Sequence, residues 1–171
     1  GGSALAFTAN AQPSNVVVIT PELRAILSQG EQLTLHSQSF IGFDDGSYQF
    51  KGITLDAATL KSLENGSVTL NADRVLLSNA GTAGTATGGT GTLNIVADEI
   101  GFGSGTMATA GFGNGVHLTA RKGMFSGRTA VNLGLAPPVR YLSTPTVPPE
   151  MSGGFDVGAA DLSIVAPYIG D

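Results

Sequence analysis

A short pattern returns five times along the chain and restricts its folding more than any other feature. It runs apolar, any, apolar, any, alanine or serine, two mostly polar residues, then apolar again. The copies are Leu33–Phe40, Val68–Val75, Leu93–Ile100, Val116–Gly123 with Met124 and Phe125 closing it, and Phe155–Leu162. Their starts lie 35, 25, 23 and 39 residues apart. Alternation with a period of two marks strands with one buried face. Strands this short cannot bury that face alone. Stacking coil on coil at about 4.8 Å gives them a continuous core. The expected fold is all-β: a right-handed parallel β-helix, or solenoid, with short helical segments and a Pro-rich excursion. A β-sandwich would need tight hairpin turns, and only Asp45-Gly46 and Asn65-Gly66 offer them.

Composition supports a β-rich, turn-rich chain. Charged residues make up 12 %, about half the usual share of about 25 %, and there are 25 glycines in 171 residues. The apolar content excludes disorder. The glycines lack the period of collagen, heptads are absent, and no apolar run approaches a membrane span. A net charge of −5 argues against nucleic acid or an anionic membrane as a partner. With no cysteine, disulfides and thiolate chemistry are excluded.

Residues 1–15 read as a lead-in opening on a cloning remnant, Gly1-Gly2-Ser3, with no signal peptide. Residues 16–171 read as one domain, expected to be a piece of something longer. Ala80–Thr92 contains only Gly, Ala and Thr and is expected to be an exposed flexible loop. Residues 136–150 carry Pro137, Pro138, Pro145, Pro148 and Pro149. Such a run cannot join inner strands, because proline donates no ladder hydrogen bond. Arg128–Leu135 is expected to add a strand before it. A duplication relates Val16–Gly46 to Ile53–Gly81. It predicts short helices over Pro21–Leu27 and Ala57–Leu63, with Thr20 and Asp56 as N-caps and Gly30 and Gly66 as stops.

The stretch from Gly66 to Phe125 resembles the repetitive shaft of filamentous haemagglutinin-type exoproteins exported by two-partner secretion. The matching phrases are Gly66–Val75, Leu93–Ile100 and Gly111-Phe112 leading into Val116–Ala120; Phe155–Ile164 fits as well. The asparagine-rich export motifs of that family's amino-terminal domain are absent, so the resemblance is to a later piece of the shaft. It implies a secreted or bacterial-cell-surface β-helix that mediates attachment, or a stalk or receptor-binding part of a contact-dependent toxin. It also implies an outer-membrane transporter during export, and a host or bacterial surface glycan or protein as partner. It carries over no catalytic residues.

Chemical motifs are few. There is no Gly-x-Ser-x-Gly and no His-Glu-x-x-His, and His36 and His117 each follow an inward residue and should point outward. The glycine clusters Gly101–Gly105 and Gly111–Gly115 lack the Lys-Ser/Thr of a phosphate loop and read as coil turns. Phe40, Phe125 and Phe155 read as inward core residues. Asp44-Asp45-Gly46 is the best acidic turn, but calcium takes about 6–8 oxygens, more than two adjacent carboxylates supply. Asp73 and Asp98 hold equivalent places, with Arg74 and Arg121 nearby, as a β-helix polysaccharide lyase or hydrolase would require. That is the enzyme alternative. No catalytic residue, metal or cofactor is expected. The ligand-binding candidates are Arg140 and Tyr141 in the Pro-rich run, and Asp44 and Asp45. Open end coils are expected to allow end-to-end self-association. Stacked seventh positions should set Arg74, Glu99 and Lys122 in a charge ladder.

Overall fold

The computed structural model describes residues 3–126 and 154–170. It is mostly β, 60 % strand with little helix, and builds one parallel sheet of many strands. In order the elements are β1 (Ala4–Phe7), β2 (Val16–Ile19), α1 (Pro21–Leu27), β3 (Gln32–Phe43), β4 (Gly46–Gln49), β5 (Gly52–Ser62) and β6 (Ser67–Ser78). The chain continues through β7 (Thr92–Phe102), β8 (Thr106–Ala110), β9 (Gly115–Ser126), β10 (Gly154–Asp156), β11 (Leu162–Val165) and β12 (Ile169–Gly170).

The pairing falls into three ranks, because each long strand contributes one half to one rank and the other half to the next. The first rank holds β4, the leading halves of β6, β7 and β9, then β11. The second holds the leading halves of β3 and β5, the trailing halves of β6, β7 and β9, then β12. The third holds β2, β1, the trailing halves of β3 and β5, then β8 and β10.

Inward positions of the ranks form columns. Tyr48, Leu70, Ile95, Leu118 and Ile164 are successive register partners in the first. Leu33, Ile53, Val75, Ile100, Met124 and Ile169 are successive partners in the second. Between them, where the chain turns from one rank to the other, Ala72, Ala97 and Ala120 stack in a buried column. A larger side chain there would meet both ranks. Ala97→Leu is therefore expected to destabilise by about 1–3 kcal/mol through overpacking, measured by urea unfolding.

The helix forms where expected at Pro21–Leu27. The Thr20 hydroxyl accepts a hydrogen bond from the Leu23 amide, Pro21 sits in the first turn, and the Gly30 amide donates to the Leu27 carbonyl just past the end. No helical residue is buried, so the cap matters. Thr20→Ala is expected to cost the helix about 1 kcal/mol, read as faster hydrogen exchange at the Leu23 amide.

Several expectations need correction. Ala57–Leu63 is not a helix: Ala57 to Ser62 belong to β5, which pairs with β3 and then with β8. Non-local pairing and burial of Ala57, Leu60 and Ser62 override local propensity. Asp56 caps nothing; it receives the Ala80 amide and the His36 ring. Gly66 stops no helix either; it turns β5 into β6. The Leu33 copy of the repeat pairs with Ile53 and so belongs to the second rank, not beside Val68. The Phe155 copy pairs with Met107, while Leu162 takes the place beside Val116.

Phe40 and Phe125 are not core. In β3, Gln38 and Ser39 face the single residue Ala58. In β9, Arg121 and Lys122 face the single residue Asp98. Each extra residue flips the inward–outward parity of the rest of its strand. The buried places go to Ile41 and Met124, and the two phenylalanines turn outward, half-buried.

The Gly/Ala/Thr stretch is tied down rather than loose. Thr87 bridges Ala110 in parallel, the Gly91 amide donates to Gly111, and the Asn114 side chain donates to the Thr90 carbonyl. The Pro-rich excursion and Arg128–Leu135 lie outside the described residues.

Candidate functional site

The Asp44-Asp45-Gly46 turn joins β3 to β4, with Gly46 at φ +142°, a backbone region that suits glycine. Both carboxylates are engaged. Asp44 Oδ2 accepts from the Thr8 hydroxyl at 2.7 Å, and Asp45 Oδ1 accepts from the Gly66 amide at 2.9 Å. The Asp45 amide donates to Glu64 Oε2, and the Tyr48 hydroxyl donates to the Asp44 carbonyl. The turn therefore clips the β4 corner to the β5–β6 corner. Among the described residues no cluster of three or more His, Asp or Glu side chains could hold a metal ion.

A cleft of about 200 Å³ lies beside this turn, lined by Phe7, Ile19, Arg24, Asp44, Asp45 and Tyr48 among others. Its roof is α1, whose Arg24 guanidinium lies 4.6 Å from the centre of the Tyr48 ring. Below, Phe7 stacks on Phe43 at 5.0 Å and meets Tyr48 edge-on. Burial raises the Tyr48 hydroxyl to about 12, with Arg24 opposing and Asp44 adding to the shift. A raised acid favours the neutral, folded form, so this contribution is complete below the ordinary tyrosine value and lost as pH rises through about 12. A tyrosinate absorbance titration should show one of the three tyrosines ionising last and together with unfolding.

A second, wider groove of about 710 Å³ runs between Gln38, Ser39, Ala58 and Thr59 on one side and Gly81–Gly84 on the other. It carries no charged side chain. Sequence reasoning missed it because it arises from the β3 bulge and from the docking of the Gly/Ala/Thr stretch, and both depend on partner strands distant in sequence.

One group of charged residues lies at the corner between the first and second ranks. Glu31 pairs with Lys51 at 2.9 Å, and Asp98 holds both Arg121 at 3.0 Å and Lys122 at 3.3 Å. Hydrogen bonds from Arg121 and Lys122 hold the Asp98 carboxyl below its ordinary value. Arg74 and Glu99 are register partners as the ladder requires. Lys122 departs from it, because the bulge swings it to Asp98. Asp73 and Asp98 do share a column, but the cations beside Asp98 are committed to it rather than facing an open groove. His36 is exposed and bonds Asp56 at 2.9 Å. Arg140 and Tyr141 lie outside the described residues.

No family model, curated protein or solved structure matches the chain.

Proposed function

We propose that this chain is a structural and adhesive module of a large secreted or surface-exposed bacterial exoprotein, folded as a right-handed parallel β-helix. The observation that carries the reading is the stacking of equivalent positions. Val68 pairs with Leu93 and Leu93 with Val116, steps of 25 and 23 residues, in an all-parallel arrangement. Each step is one coil, and parallel crossovers of this kind are overwhelmingly right-handed. A stack of that sort is a spacer with long flat faces, suited to presenting a binding surface away from a cell. Asp44, Asp45 and Asp98 are tied to the Thr8 hydroxyl, the Gly66 amide and the Arg121 and Lys122 cations respectively, which favours a scaffold over an enzyme. The shaft resemblance adds an outer-membrane transporter during export and a surface glycan or protein as the ligand.

Beads coated with the chain should attach to epithelial or bacterial cells above an uncoated control. Failure to attach to any surface would overturn the adhesive reading, and reproducible cleavage of a polysaccharide at millimolar calcium would replace it with the enzyme. The outermost strands, β2 at one end and β11 at the other, have a neighbour on one side only among the described residues. End-to-end association should therefore appear in sedimentation at high concentration.

A further inference from the structure

On the outer face of the second rank, Leu76, Gly101 and Phe125 are register partners on three adjacent strands. The two flanking strands of this trio lie about 9–10 Å apart. Gly101 has no side chain, and Leu76 leans over it: a Cβ there would come within 3.1 Å of a Leu76 methyl. Phe125 lies back over Gly123 in the same way. Its ring centre is 5.9 Å from that of Tyr168 at an interplanar angle of 48°. Tyr168 is 55 % exposed and Leu76 38 % exposed. The result is an apolar shelf of one aliphatic and two aromatic side chains among the described residues. Arg74 and Glu99, one outward position back along their strands, set a hydrogen-bond donor and an acceptor along its edge.

Resting on the adhesive reading, we infer that this shelf binds the apolar face of a pyranose ring in a surface glycan, with the exposed Tyr168 stacking on the ring, Phe125 meeting it at an angle and Arg74 and Glu99 meeting its hydroxyls. Stable protein–protein contact needs about 800 Å² on each partner, and the three side chains of the shelf among the described residues fall short of that. They do match one six-membered ring, which has an apolar face and a hydroxyl rim that both donates and accepts. The shelf arises from the β9 bulge, which turns Phe125 out. It is therefore a product of the same extra residue that delivers Lys122 to Asp98.

The test is an NMR titration of the whole chain with cellohexaose and chitohexaose. At least one should shift the ring resonances of Phe125 and Tyr168 saturably. Tyr168→Ala should weaken that binding about tenfold, Tyr168→Phe should keep it, and both should melt as the unmodified chain does. Leu76→Ser, on a different strand of the same shelf, should also weaken it. If neither sugar moves those resonances, or Tyr168→Ala binds equally well, the shelf is not the site. A concentration-dependent dimer abolished by Tyr168→Ala would make it a self-association surface and overturn the inference. Attachment of coated beads that survives periodate oxidation of the target cells would overturn the glycan shelf and leave adhesion standing. Absence of all attachment would overturn adhesion, and the titration would still decide the shelf.

Discussion

Ile95→Ala is expected to cost about 2–5 kcal/mol of unfolding free energy, among the largest effects available to a single truncation in this chain. Ile95 is fully buried, with Leu70 on one side of it and Leu118 on the other in the first-rank column. The side chains above and below are held by their own ladders and cannot close over the gap, so the cost is the lost burial plus a persistent cavity. Urea unfolding should report a lower midpoint with an unchanged slope. A loss below about 1 kcal/mol would mean that the column collapses freely and that the ranks are less rigid than their pairing implies.

Gly105→Val should be at least as damaging, for a different reason. Gly105 sits at φ +73°, in the left-handed region where a β-branched residue is disfavoured by about 1–2 kcal/mol. A Cβ there would also run into the backbone carbonyl of Asn79. That region is a junction: the Asn79 amide donates to the Ser104 carbonyl, and the Asn79 side chain donates to the carbonyls of Thr82 and Thr106. Displacing Asn79 would detach the start of the Gly/Ala/Thr stretch from β8. The expected result is a drop in melting temperature larger than that of Ala97→Leu, together with faster amide exchange at Gly111, which donates to Thr87 and Gly88.

Acid should loosen the charged corner. The folded-state value of Asp98 is lowered by Arg121 first and Lys122 second. Its contribution is therefore complete above the ordinary carboxylate value and lost as pH falls through the lower, folded one. Asp98→Asn should remove that part of the acid dependence and leave neutral-pH behaviour nearly unchanged, since exposed pairs contribute little.

How far each feature can be read from the residues depends on how its signal is encoded. The register of Val68, Leu93 and Val116 is readable because three copies share the same apolar spacing and the same alanine. The Pro21 helix is readable because its cap, first turn and stop are all local. The placement of Leu33 is not, because each long strand carries two alternating segments and Leu33-x-Leu35 fits either. The outward turn of Phe40 and Phe125 is hidden for a related reason. A bulge is one residue counted against a partner strand, and the partner is about twenty residues away. The Ala57–Leu63 segment misleads because its local propensity is helical, while the strand pairing that decides its state comes from β3 and β8. The acidic stretch is legible as a turn from Asp44-Asp45-Gly46, but the partners of its carboxylates, the Thr8 hydroxyl and the Gly66 amide, could come only from the fold.

The parallel ranks also set how such a chain would answer a pull. On the solenoid reading, tension applied along the stack loads the interstrand hydrogen bonds of an end coil one after another, as in peeling, rather than all together. A coil of 23 residues, the step from Leu93 to Val116, would release about 75 Å of slack in place of about 4.8 Å of height. A tether built this way yields by lengthening, coil by coil, before it transmits full force to whatever it holds.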